Sequence, residues 1–209
     1  MRDFKEYTIL DTVTPVAVTS STDATPIVVT ATSHGFATGD LVLIYGHTTN
    51  IAANGVFKIT KVNNNSFSLQ DRNTGANIAG SGAGAGSSGL VIPAPKIPLI
   101  SDFRNAVLHV FTSGTATLTA KIAGSVGKTD GSCPNFGATV SISNPYDFVQ
   151  VVDLEDGSAV DGDTGVVASG ADVARQFEVN INALKYLTVF PISWSQGAIT
   201  VKLLLTSNE

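Results

Sequence analysis

The residues best suited to chemistry are five carboxylates in one short, glycine-containing segment. They are Asp153, Glu155, Asp156, Asp161 and Asp163. Carboxylate oxygens on a loop are ligands that Ca²⁺ prefers, and paired carboxylates also hydrolyse glycosidic bonds. The spacing does not match an EF-hand loop. Aromatic residues, which usually line glycosidase grooves, make up only 7% of the chain. We interpret the segment as a solvated loop, with a Ca²⁺ site as the alternative and catalysis as a third reading.

The other candidate nucleophiles and ligands are scattered. His34, His47 and His109 lack the spacing of a metal site. We expect His34 to bond to nearby backbone at a turn, and His109 to be a packed or surface residue of a strand. Cys133 has no neighbouring base to activate it, and the serines at 193 and 195 do not form a nucleophile elbow. The sequence therefore predicts no catalytic residue, no cofactor and no enzyme.

Exposed aromatic rings are the remaining possibility for binding a small molecule. Trp194, Tyr146 and Tyr186 could stack against a sugar. Large aromatic side chains more often fill a core or an interface, and we predict that role for these three.

Composition argues against several kinds of partner. The net charge is −5, and Lys and Arg number only 12 without clustering; this disfavours a nucleic-acid partner, since phosphates require clustered cations. No apolar run approaches the length of a membrane span, and the first residues lack the apolar core of a signal peptide. A single cysteine rules out an intrachain disulfide framework and fits assembly in a reducing cytoplasm.

The elements that must position these residues are strands. Apolar and polar residues alternate with a period of two, and turn residues recur throughout. The pattern predicts an all-β protein, with a small SH3-like barrel followed by an antiparallel, jelly-roll-like β-sandwich. We assign the barrel core to six side chains: Phe36, Leu43, Phe57, Ile59, Phe67 and Leu69.

Composition shifts predict three segments. Residues 1–24, rich in threonine with Pro15, read as an extended N-terminal arm. Residues 25–97 form the barrel and include the Ala/Gly/Ser-rich stretch 79–89, either a flexible linker or a long hairpin loop with Leu90-Val91-Ile92 as the returning strand. Residues 98–209 form the sandwich.

Two strands of the predicted sandwich flank a turn. We expect 106–111 and 115–122 to pair as a hairpin around Ser113-Gly114. Further strands are predicted over 146–152, 175–181, 186–190 and 198–205. Leu118, Ala120 and Ile122 should share one buried face, because alternate residues of a strand point the same way.

Three spaced blocks resemble a known module. They are HGFATGDLVLI (34–44), ANGVFKITKV (53–62) and NSFSL (65–69). Together they are similar to a small β-domain common in phage virion proteins, which is often labelled by its likeness to a domain of ubiquitin-activating enzymes. The blocks span about a quarter of the chain and contain no cysteine, so the resemblance implies no ubiquitin chemistry. FTSGTATL (111–118) and GAITVKL (197–203) resemble, more loosely, sandwich domains of phage head and tail proteins.

The resemblance implies a structural role. We expect a non-enzymatic component of a phage particle, most readily a capsid decoration or head-fibre protein. Its partners would be other copies of itself, as a homo-oligomer, and phage capsid or tail proteins, without nucleic acid or membrane. The alternatives are a tail or head-to-tail connector protein and a receptor- or glycan-binding tip module.

Overall fold

The chain folds as antiparallel β-sheets, as the residue alternation predicts. The computed structural model describes residues 4–81, 89–126, 146–195 and 197–207. Within these ranges no helix is long and apolar enough to cross a membrane. A single 3₁₀ turn, Ile51–Ala53, interrupts the strands. In chain order the strands are β1 (Phe4–Val13), β2 (Val16–Val18), β3 (Ser20–Ser21), β4 (Val28–Thr30), β5 (Leu41–Tyr45), β6 (Gly55–Asn63), β7 (Ser66–Asp71), β8 (Gly89–Pro93), β9 (Asn105–Thr112), β10 (Thr115–Ser125), β11 (Tyr146–Phe148), β12 (Val151–Asp153), β13 (Ala159–Val160), β14 (Val166–Ala171), β15 (Ala174–Val179), β16 (Tyr186–Trp194) and β17 (Ile199–Thr206).

These strands belong to two units. The barrel unit comprises the described residues between 15 and 94, and the sandwich unit comprises those of 4–14 and 95–207. Each unit has its own hydrogen-bonded sheets.

The sheet of the barrel unit closes on itself. Its order is β2-β8-β5-β6-β7-β4-β3. Strands β2 and β3 are consecutive pieces of one extended stretch: β2 pairs with β8, and β3 pairs with β4. The amide of Thr19, between them, also donates to the carbonyl of Thr30 at 2.9 Å. The first and last strands of the sheet are therefore joined through the chain itself, which leaves a nearly closed barrel.

The barrel core follows the period-two pattern, with one exception. Phe57, Ile59, Phe67 and Leu69 are buried in it, and Phe36 packs against it. Leu43 was assigned to this core wrongly: its neighbours Val42 and Ile44 occupy the core cluster, because alternate residues of β5 point to opposite faces. Leu43 is still buried.

The Ala/Gly/Ser-rich stretch connects strands of one barrel. β8 contains the predicted returning strand Leu90-Val91-Ile92 and pairs with β5 over Val42–Tyr45. It does not pair with the preceding strand β7, so the stretch is a connection between non-adjacent strands and the predicted hairpin loop is wrong. On the described side of the stretch, Gly80 and Ser81 are hydrogen-bonded to Ala24 and Asn50. Residues 82–88 lie outside the described ranges.

The sandwich unit contains two sheets. Sheet A has the order β1-β17-β9-β15-β12-β13. In the second sheet, sheet B, the long strand β10 is central. Strand β16 lies along one side of it, and β14 followed by β11 lies along the other. Alternate residues of β10 and β17 are buried as predicted, and they form the core faces: Leu118, Ala120, Ile122, Ile199, Val201, Leu203 and Leu205.

The predicted hairpin at Ser113-Gly114 is wrong. β9 belongs to sheet A and β10 to sheet B, so the turn carries the chain from one sheet to the other. The amide of Ser113 donates to the carbonyl of Ala198, and that of Gly114 donates to Asp172 Oδ1. The turn is thereby tied to two later segments, which a local turn signal does not reveal.

Residues 1–24 are placed differently from the predicted arm. β1 pairs with β17 and completes sheet A, and residues 16–21 supply β2 and β3 of the barrel. Ile9, Leu10 and Val13 are buried. The burial of these three apolar side chains stabilises β1 as a strand of the sheet.

Candidate functional site

The acidic segment is divided among separate contacts. Asp153 lies at the end of β12 with a side chain that is only 7% exposed, and it forms an ion pair with Arg175 on the adjacent strand β15. Glu155, which is exposed, contacts the same guanidinium at 2.8 Å between Oε2 and Nη1. Two of the predicted carboxylates therefore share one cation as their partner.

Arg175 on β15 binds the turn that follows β12. Its guanidinium lies 5.9 Å from the ring centre of Phe177, in the range of a cation–π contact. The amide of Glu155 donates to Asp153 Oδ1 at 3.0 Å, which shapes the turn that presents both carboxylates. This arrangement orders the end of β12.

The other three carboxylates shape turns of their own. Asp156 accepts from the amide of Ser158, and hydrogen bonding from Ser158 lowers the pKa of this exposed carboxyl. Asp161 accepts from the amide of Asp163, whose own carboxylate contacts Lys121 at 2.6 Å. In the described part of the chain, no three His, Cys, Asp or Glu side chains are grouped so as to hold a metal ion.

The histidines do local structural work. His34 Nδ1 accepts from the amide of Phe36 at 3.0 Å and Nε2 lies 3.0 Å from the carbonyl of Asn63, which confirms the predicted bonding to backbone. The ring also packs against Phe67. His109 is half-buried in β9 beside Phe111. Cys133 lies outside the described residues.

The aromatic candidates for sugar stacking are buried or half-buried. Trp194 and Tyr146 are buried, and Tyr186 is half-buried. Trp194 Nε1 donates to the carbonyl of Gly197 at 3.3 Å, and Ser195 Oγ accepts from the amide of Thr117. The predicted packing role of the buried rings is confirmed.

The open strand edges of the sandwich unit differ in how they are protected. β1 carries Lys5, Glu6 and Asp11, and its pairing with β17 is interrupted by two bulges. Charges and bulges are the usual means of preventing an edge from pairing with another chain. β16 is partly covered: Leu99 bridges Tyr186, and the following residue donates to the carbonyl of residue 185.

β14 is an edge without such protection, and with six residues it is longer than the edge strands β11 and β13 of the described chain. Its sequence, VVASGA, has no charge and no proline, and its pairing with β10 is regular over six residues. Val167 is 50% exposed, and Ser169, Gly170 and Ala171 are exposed. Among the described residues, β10 is the strand that pairs with it. β14 therefore offers a flat, uncharged strand edge, and we treat it as the candidate functional site.

Sequence reasoning did not identify β14. The alternation was visible, because Val166 and Ala168 are buried while Val167 and Ser169 are exposed. The strand was not predicted, because acidic turns precede it and it ends in the small residues Gly170 and Ala171. Glycine is depleted in strands. Its position at an edge depends on pairings made with a strand almost fifty residues earlier in the chain.

Comparison with known proteins gives little further information. No family model matches the chain, and no curated protein matches it. Among solved structures, the SPBc2 prophage-derived protein YomS is similar with a TM-score of 0.42 and 10% identity, covering 99% of this chain and 96% of that one. The PBSX exported protein XepA is similar with a TM-score of 0.38 and 10% identity, covering 99% and 82%. Likenesses at this level carry no argument about function.

Proposed function

We propose that this chain is a non-enzymatic structural component of a bacteriophage particle, acting as a capsid decoration or head-fibre protein. It works through repeated contacts with other copies of itself and with capsid or tail proteins. The proposal assigns no catalytic residue and no cofactor. The five carboxylates of the acidic segment and His34 serve the fold.

The observation that carries the proposal is the unprotected edge of β14. An open strand presents a row of backbone N–H and C=O groups that another strand can pair with. A second copy of this chain is the proposed occupant, since a homo-oligomer repeats one such contact by symmetry. Repetition converts a modest single contact into strong attachment.

Two features of the sequence support this reading. The three blocks between residues 34 and 69 resemble a module of phage virion proteins. Charged residues make up only 14% of the chain, against about 25% in ordinary soluble domains. The solvent side of β10 fits that composition, because Thr115, Thr117 and Ser169 beside it are uncharged and exposed.

Copy number in purified particles tests the location. Quantitative mass spectrometry should find this chain at the level of a major protein, with hundreds of copies for a decoration role and intermediate numbers for fibres. A dozen copies or fewer would favour the connector or tip alternatives. Absence of the chain from purified particles would overturn the structural role altogether.

A charge on the edge tests the mechanism. Val167→Lys should abolish self-association, because a lysine protects an edge strand from pairing. Thr115→Lys is the matched control: it places the same charge on the same side of the sheet, but on the central strand β10. Sedimentation velocity of both variants decides between the outcomes. If Val167→Lys associates as fully as Thr115→Lys, β14 is not the contact.

A further inference from the structure

A groove at one end of sheet A is lined by polar side chains that the proposed function does not use. Its volume is about 670 Å³, within the usual range of ligand sites. Its polar lining consists of Arg104, Asn105, Gln150, Glu178, Asn180 and Asn182. Valine, alanine and leucine side chains supply the rest, including Val152, Ala159 and Leu184. All of these residues belong to the sandwich unit.

Three of the amides lie at the same end of neighbouring strands. Asn105 pairs with Thr206, and Ala106 and Val151 both lie opposite Val179. Extending this antiparallel register by one residue, just past the ends of β12 and β15, places Gln150, Asn180 and Asn105 in a row. Adjacent strands are about 4.8 Å apart, so the row repeats an amide at that interval.

The next row on the same face is largely apolar. Val152 lies opposite Ala159 on one side and Glu178 on the other, and Val107 follows. Val152 is 36% exposed. The groove therefore sets a line of hydrogen-bonding groups beside a strip of aliphatic carbon.

The polar groups of the groove are available to a ligand. Within the described residues, the side chains of Arg104, Gln150 and Glu178 have neither an ion pair nor a hydrogen bond. Asn105 makes one long bond of 3.4 Å to Thr206 Oγ1. Asn180 Oδ1 accepts from the amide of Asn182 at 3.1 Å, which leaves Nδ2 of Asn180 as its donor to a ligand. One free cation and one free anion give the lining no net charge, which favours an uncharged ligand.

We propose that this groove binds a neutral polysaccharide, aligned across the strands of sheet A. Amide, guanidinium and carboxylate groups each present paired donors or acceptors, which match the neighbouring hydroxyls of a sugar ring. The aliphatic strip matches the C–H face of that ring. The interval between amides is close to the length of one pyranose unit. An extended peptide fits less well, because its side chains on one face repeat only every 6.6 Å or so. The proposal does not depend on the virion role.

Glycan-array binding of the full chain, followed by calorimetric titration with the strongest neutral hexasaccharide, tests the proposal. Gln150→Ala should weaken binding about 5-fold, the effect of one hydrogen bond between neutral partners, and Glu178→Gln about 10-fold, because it removes the charge from an acceptor. Neither side chain has a partner in the fold, so both variants should stay folded. Gln176→Ala is the matched control, since Gln176 is exposed on the same face of β15 but outside the groove, and it should leave binding unchanged.

Several outcomes would overturn the proposal. Absence of binding to any neutral glycan at millimolar concentration would do so, as would equal effects of Gln150→Ala and Gln176→Ala. A steep fall of affinity with salt would identify an anionic polymer instead. If Gln150→Ala or Glu178→Gln changes the oligomeric state, the groove is a contact between copies; Val167→Lys, outside the groove, separates that result from the β14 contact.

Discussion

The two units of this protein solve the problem of open strand edges in opposite ways. The barrel unit closes its sheet, because the stretch from Val16 to Ser21 pairs with β8 at one end and β4 at the other. The sandwich unit keeps its sheets open and protects most of their edges one by one. Closure removes sites for further pairing, whereas open sheets keep them. If the proposed self-association occurs through strand pairing, we therefore expect it in the sandwich unit.

The units also differ in the interactions that stabilise them. The barrel depends on one continuous ring of strands around a single core cluster. The sandwich takes β1 from the start of the chain and β17 from its end. Four ion pairs lie in the sandwich unit: Lys121–Asp163, Arg175–Asp153, Arg175–Glu155 and Lys202–Glu6. The sandwich unit should respond more strongly than the barrel to changes at its edges.

The largest expected effect comes from removing β1. Deleting residues 1–14 takes away three buried side chains, Ile9, Leu10 and Val13, and their burial is worth about 5–9 kcal/mol in total. That is comparable to the whole stability of a domain, so the sandwich unit should unfold while the barrel unit stays folded. Hydrogen exchange should show protection lost in β9 and β17 and kept in β5 and β6.

Deletion of residues 1–3 is the control, because it leaves β1 intact. If the longer deletion leaves β17 protected, residues 1–14 are dispensable to the sandwich. The predicted arm, free to bind neighbouring subunits, would then be the better description.

This contrast also marks what the sequence could predict. Alternation alone identified β6, β10 and β17 and their buried faces, since side-chain direction within a strand is a local property. It did not identify β1 as a sheet strand, or the Ser113-Gly114 turn as a crossing between sheets, because pairing partners lie far away in the chain. The acidic segment shows the same limit: its carboxylates were visible, but Arg175, which pairs with Asp153, was not.

The second effect concerns that ion pair. Arg175→Met should cost about 2–3 kcal/mol, because it leaves the carboxylate of Asp153 buried without its cation, and the partial exposure of Arg175 moderates the loss. Lys121→Met is the control and should cost about 1 kcal/mol at most, since its partner Asp163 is 65% exposed. Urea unfolding of the sandwich unit measures both. Asp153→Asn combined with Arg175→Met should recover part of the loss; equal costs for the two single variants would contradict the buried pair.

An effect of similar size is expected at the acidic turns. A Cβ at Gly162 would lie 2.0 Å from the carbonyl oxygen of Val149, so Gly162→Ala should cost about 2–3 kcal/mol by forcing the backbone apart. Gly157→Ala meets nothing within 4 Å and pays only for its φ of +76°, about 1 kcal/mol. Thermal unfolding of both variants compares them. Equal melting temperatures would show that the turn at 161–165 does not pack on Val149.

The smallest effect brings the comparison back to the barrel unit. Burial lowers the pKa of His47 below its usual 6.5, so the folded barrel favours the neutral ring. The unfolded chain takes up a proton near pH 6.5, and it binds more protons than the folded chain just below that pH. The stability of the barrel should therefore fall as the pH decreases through 6.5. His47→Gln should flatten this slope while preserving the bonds between the backbone of His47 and Asn54, at 2.9 and 2.8 Å.

His109→Gln, in the sandwich unit, is the control and should leave the slope in place. Urea unfolding of the barrel at several pH values between 5.5 and 8 measures the slope, and an unchanged slope in His47→Gln would show that another group in the barrel carries the pH dependence.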